Sequence, residues 1–159
     1  MTTRHEAPFV YRKVYRQVQR EMDVDMIVDL QHPASADDII EAAAKQAVTT
    51  TPQEQAAFLL DAVGARITTA AVGLKDARAV RGWADGKSVK EADVEQRLQE
   101  LYQVVVAISE AYSSSVAVAF LRGTNPHLGD RAPLVVLADS DPNDAGPALL
   151  KATRALIEE

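Results

Sequence analysis

Apolar residues recur at three- and four-residue intervals along nearly the whole chain, and this single feature constrains the fold most. The strongest stretch runs from Ala92 to Tyr112, where Val94, Leu98, Leu101, Tyr102, Val105, Ile108 and Tyr112 keep one face apolar. That spacing predicts a long helix with a core-facing stripe. The stripe must be covered by something, and the rest of the chain offers only further helical patterns. There is no βαβ alternation, internal repeat or low-complexity linker. The expectation is an all-α helical bundle.

Helix punctuation divides the remainder. Pro8 precedes Val10, Val14, Val18 and Met22, which recur every four residues and predict a helical N-terminal extension. Ser35 is placed to cap a helix from Ala36 to about Val48, with Ile39, Ile40, Ala43 and Ala47 on one side. Thr51-Pro52-Gln53-Glu54 carries an N-cap hydroxyl, a proline that presets φ, and a Glu that closes a capping box. Phe58, Leu59, Ala62 and Val63 then form a stripe that Gly64 ends. A short helix is expected over Thr68–Gly73 and another from the cap Asp76 to about Gly86. Ser113 to Ser115 restart the chain into Val116–Arg122, Thr124–Ala132 reads as loop, and Pro133 opens a turn of helix. Asp144 is expected to cap a last helix with Leu149, Leu150, Thr153 and Leu156 inward. Thr49–Pro52 marks the expected boundary between residues 1–50, an extension, and a main body of 51–90 and 91–159.

Composition excludes several chemistries. The 159 residues contain no Cys, so disulfides, thiolate metal sites and Cys nucleophiles are ruled out. His5, His32 and His127 form no HExxH or helical pair, and no metal or other cofactor is expected. Asp139, Asp141 and Asn143 mimic the start of a calcium loop. However, Asp144 stands where the sharp turn needs Gly, and Leu150 where a bidentate Glu is required. No GxSxG elbow, GxGxxG or P-loop is present, so no enzyme activity is expected. No apolar run approaches a membrane span, and Arg4, His5, Glu6, Arg12 and Lys13 interrupt any signal-peptide core. A cytoplasmic location is the expectation.

Charge is distributed unevenly around a formal net charge of -6. Arg4, Arg12, Lys13, Arg16 and Arg20 against Glu6 give residues 1–20 a balance of +4. Arg66, Lys75, Arg78, Arg81, Lys87 and Lys90 against Asp76 and Asp85 give residues 64–90 the same balance of +4. The stretches between and after these islands are acidic, residues 91–159 at -6. A solvated surface is one reading of such islands. An acidic body with one basic face, reading DNA and holding a second, protein partner, is another.

The second island coincides with a helix–turn–helix pattern over Asp61–Gly86. In such a unit an apolar residue three before an aromatic locks the second helix to the first, here Val80 and Trp83, while polar side chains face outward. Arg78 and Arg81 take those outward positions, and Arg forks match guanine edges. Lys75, Lys87 and Lys90 flank the helix as phosphate contacts. An ordinary helical hairpin with a basic exposed face fits the same residues.

The spacing continues past this unit. Val80-Arg81-Gly82-Trp83-x-x-Gly86, Arg97-Leu98-x-x-Leu101, Ala119-Phe120-Leu121, Asn125-x-x-Leu128 and Pro133-Leu134 follow in order. This pattern, from Phe58 to Glu159, resembles the Xre/MbcA/ParS antitoxin family. Gly82 departs from it, since the family carries Arg immediately before the Trp. The resemblance implies an all-helical, homodimeric protein that neutralises a RES-domain, NAD-destroying toxin and represses its own operon. It implies toxin binding by the bundle from Ala92 to Glu159, with Asn125, Leu128, Leu156, Glu158 and Glu159 as contact residues. It further implies operator DNA binding by Asp61–Gly86. A stand-alone DNA-binding regulator without a toxin is the alternative.

Overall fold

The computed structural model describes residues 34–159; the expected helix at Val10–Met22 lies outside them. The described residues form eight α-helices, one 3-10 turn and no strand. In chain order they are α1 (Ala36–Thr49), α2 (Pro52–Ala62), α3 (Ala65–Ala71), α4 (Ala77–Ala84), α5 (Ala92–Ala111), α6 (Ser114–Arg122), the 3-10 turn Pro126–Leu128, α7 (Pro133–Asp139) and α8 (Pro142–Glu158). No helix among the described residues is long and apolar enough to cross a membrane.

The caps form where their side chains dictate. Ser35 accepts from the Asp38 N–H at 3.1 Å and the Asp38 carboxylate returns to the Ser35 N–H at 3.3 Å. Thr51 and Glu54 repeat this reciprocal box at the start of α2, so each pair satisfies two orphan donors. Gly64 ends α2 with φ 93°, a conformation costly for any residue with a Cβ, and is at once the N-cap of α3. Hence α3 starts at Ala65, earlier than the expected Thr68. The last helix also starts early. Asp141, not Asp144, is its cap, accepting from the Asn143 N–H at 2.9 Å. Pro142 takes the first helical position, where a missing N–H costs nothing.

The central helix is α5. Val94, Leu98, Leu101, Tyr102 and the run Val104–Ile108 are all buried. Around it pack α1, α2, α3, α6, α7 and α8. Tyr112, expected on the inward stripe, instead sits at the helix end, 47% exposed, and donates its hydroxyl to the Leu156 carbonyl at 3.0 Å. The buried face of α1 (Ile39, Ile40, Ala43, Ala47) belongs to the same continuous core as α5. The expected boundary near Thr50 is bridged rather than open. The buried Gln55 amide donates to the carbonyls of Ala47 and Thr50 at 2.9 and 3.2 Å, closing the end of α1. Tyr102 meets Phe58 edge-on at 5.3 Å beneath this joint.

Two polar contacts fasten the C-terminal helices to α5. Arg97 donates Nε to the Leu137 carbonyl at 2.9 Å and Nη2 to the Ser140 carbonyl at 3.1 Å, satisfying the end of α7. Its Nη1 meets Asp93 at 3.1 Å. One turn further along, Glu100 is wedged against α8. Its Oε2 accepts from Gln96 at 3.2 Å, and Gln96 also donates to Asn143 at 3.0 Å. The Oε1 atom is buried without a partner. Burial pushes the Glu100 carboxyl up to about 7. Gly146 makes the fit possible, because a Cβ there would lie 2.5 Å from Glu100 Oε2.

Candidate functional site

The helix α4 packs chiefly on α2 and α3, at the edge of the bundle. Its sequence Ala77-Arg78-Ala79-Val80-Arg81-Gly82-Trp83-Ala84 splits cleanly. Val80 is fully buried, Trp83 is 6% exposed, and Arg78 and Arg81 lie on the surface. The apolar–aromatic lock read from the sequence is therefore the contact that seats the helix. The turn before it, Val72 to Asp76, carries Gly73 at φ 83° beside the Ala138 carbonyl.

The five cations expected on this unit are all exposed, but the fold sorts them into two groups. Lys75 and Arg81 line one hollow between α3 and α4, joined there by Arg66 of α3. Arg78, Lys87 and Lys90 line a second hollow on the other side of α4, floored by Leu74, Trp83, Val89 and Val94. Arg78 is committed elsewhere in part. Its Nε donates to Asp76 at 2.8 Å, while the Arg78 N–H reaches the same carboxylate as a cap at 2.9 Å. The Arg78 hydrogen bond holds the Asp76 carboxyl below its ordinary range. Asp76 thus serves as both helix cap and internal counter-ion, a role its residue type alone did not reveal. Lys87 lays its stem over Gly82, whose added Cβ would lie 3.1 Å from the lysine Cδ. The absent side chain at Gly82 is what lets Lys87 fold back onto α4.

The residues expected to meet a protein partner are less uniform. Asn125 caps the 3-10 turn, accepting from the His127 N–H at 2.9 Å, and its backbone pairs with Arg131. Leu128 is only 9% exposed and packs in the core, turned away from any partner. Leu156 is half-buried, and Glu158 and Glu159 are exposed at the end of α8. Arg97, met in the sequence only as part of a spaced pattern, proves to be the structural tie between α5 and α7. Its carbonyl partners lie about forty residues away, beyond what helical spacing reports. Among the described residues no group of three or more His, Asp or Glu is placed to hold a metal ion.

No family model matches the chain, and comparisons with characterised proteins and with solved structures return no match.

Proposed function

We propose that this chain is an antitoxin that neutralises a RES-domain, NAD-degrading protein toxin by direct binding. The observation that carries the reading is the spaced constellation resembling the Xre/MbcA/ParS antitoxin family. Its members occupy joints of the bundle: Trp83 seats α4, Arg97 ties α5 to α7, Asn125 caps the 3-10 turn and Pro133 opens α7. In this reading the protein is a cytoplasmic homodimer that works by occlusion, not catalysis. Exposed Glu158 and Glu159, with Leu156 and Asn125, face the toxin. The acidic region 91–159 favours a basic cleft and speeds association. The test is co-expression of the tagged chain with each neighbouring reading frame while cellular NAD is followed. A co-purifying neighbour that drains NAD only when this chain is absent is the expected result. Undisturbed NAD with no stable partner refutes it.

A second reading is a DNA-binding regulator, favoured by the outward placement of Arg78 and Arg81 on a helix seated by Val80 and Trp83. Here α3, the turn and α4 act as a helix-turn-helix. If about four cations meet phosphates, log affinity falls with log salt at a slope of roughly -3.6. Replacing Arg78 and Arg81 together with Ala is expected to weaken operator binding by about 1–3 kcal/mol per base contact, with melting nearly unchanged. Unaltered gel shifts in the double variant would remove α4 as the reader.

A further inference from the structure

The hollow between α3 and α4 joins Arg66 and Thr69, which neither reading uses, to Lys75 and Arg81 of the regulator reading. It encloses about 490 Å³ and draws Arg66, Lys75 and Arg81 to one concave surface, with Ala65, Ala70 and Ala77 leaving its floor open. None of the three cations forms an ion pair among the described residues. Two acids lie close by: Asp76 is hydrogen-bonded to Arg78 and also feels the Arg81 charge, and Asp85 shares the neighbouring hollow with Arg81. Cations gathered in a cleft with low-dielectric walls focus a positive potential and concentrate anions.

A second observation lies in the wall itself. Thr69 lines this hollow and is 5% exposed, yet its hydroxyl Oγ1 is buried with no hydrogen-bond partner. The neighbouring Thr68 shows the ordinary solution, donating back to the Gly64 carbonyl at 2.8 Å. A buried hydroxyl without a partner is uncommon in a folded protein and calls for an explanation, which an anion in this hollow would supply. A hydroxyl able to donate, two planar guanidinium forks and one ammonium make a donor-rich set, which suits a tetrahedral oxyanion.

We propose that the α3–α4 hollow is a phosphoryl-binding site, in which Arg66, Lys75 and Arg81 hold the anion and the Thr69 hydroxyl turns to donate to it. The site is independent of toxin binding. If the phosphoryl group belongs to a DNA backbone, the inference rests on the regulator reading and deepens it by adding Arg66 and Thr69 to the contact set. If it is a free phosphate or phosphate ester, the site stands alone.

The test titrates the full chain with inorganic pyrophosphate at constant ionic strength, following backbone amide shifts, with sodium chloride as the control. A random-sequence duplex is titrated in parallel. The expected result is saturable movement of the Arg66, Thr69, Lys75 and Ala77 amides by at least one of the two probes. That movement should weaken at least tenfold in the Arg66→Gln, Lys75→Gln double variant. Thr69→Val should weaken it several-fold while melting at or above the wild-type temperature, because it removes an unpaired buried hydroxyl. Arg122→Gln, outside the hollow, should change nothing. Movement with pyrophosphate alone assigns a free phosphate ligand; competition between pyrophosphate and duplex for the same amides assigns the DNA backbone. Duplex binding that leaves these amides still, when pyrophosphate also fails to move them, would keep the regulator reading and overturn this site. So would shifts no larger than those from chloride, or shifts that survive in the double variant.

Discussion

Replacing Glu100 by Gln tests the α5–α8 interface through its dependence on pH. In the folded protein burial raises the Glu100 carboxyl to about 7, against an ordinary 4.5. Between those values the native state keeps a proton that the unfolded chain has released. Stability therefore falls as pH rises through this window and levels off above about 7. At full strength a gap of this size is worth about 3 kcal/mol. Glu100 is half-buried, and solvent screening leaves about 1–2 kcal/mol. Gln keeps the shape and the bond from Gln96 but cannot titrate. Its spare amide N–H takes the place of the unpartnered Oε1, a cost that is the same at every pH. The difference between the two proteins isolates the single carboxyl from the other acids, which titrate in both. Urea unfolding followed by circular dichroism at intervals from pH 4.5 to 8 measures it. The variant should gain about 1–2 kcal/mol on the wild type between the ends of that range, or roughly 2–8 °C in melting temperature. A difference that stays constant across the range would refute the placement of Glu100 as a buried, charge-averse group.

Three other substitutions probe named contacts. Trp83→Ala should cost about 3–5 kcal/mol in urea denaturation, because the ring seats α4 against its neighbours. Arg97→Ala should cost about 2–4 kcal/mol by leaving the Leu137 and Ser140 carbonyls unmet; Arg97→Lys should recover little, since an ammonium lacks the fork. Gly146→Ala should forfeit the roughly 1 kcal/mol that Ala ordinarily gains over Gly inside a helix, because the new Cβ displaces the Glu100 carboxylate. Combined with Glu100→Ala it should cost less than the sum of the two, and strict additivity in that double-mutant cycle would mean the two residues do not touch.

Sequence legibility followed the range of the interactions involved. Ser35, Thr51, Asp76 and Ser113 cap helices through partners two or three residues away, and short-range chemistry of that kind is visible in a linear chain. The inward stripe of α5 was equally plain, except at Tyr112, where the helix ends and periodicity no longer applies. The cap of α8 lies three residues before the expected one because Asp141, Asn143 and Asp144 all carry capping side chains, and only Asp141 is followed by a proline at the first helical position. Prolines are rare in helix interiors, yet Pro147 sits in the second turn of α8, and its missing N–H deprives only the carbonyl of the exposed Asn143. The start of α3 was hidden because Gly64 caps without a side chain. Within the candidate site, the outward set on α4 followed from Val80 and Trp83. Its division into two groups did not, because Arg66 joins Lys75 and Arg81 only once α3 is folded against α4. The pairing of Asp76 with Arg78 was hidden for a different reason: an i, i+2 contact at a helix start is a matter of cap geometry, not of helical periodicity.

The central place of α5 bears on how the chain folds during synthesis. The apolar face of α1 finds its chief cover in α5, whose last residue, Ala111, is made well after Thr49. At bacterial or eukaryotic elongation rates of about 5–20 residues per second, the interval is several seconds. Through that time Ile39, Ile40, Ala43 and Ala47 lack the cover that α5 later gives them. The nascent chain thus carries an uncovered apolar stripe until α5 emerges, and the last of its cover comes only with α8.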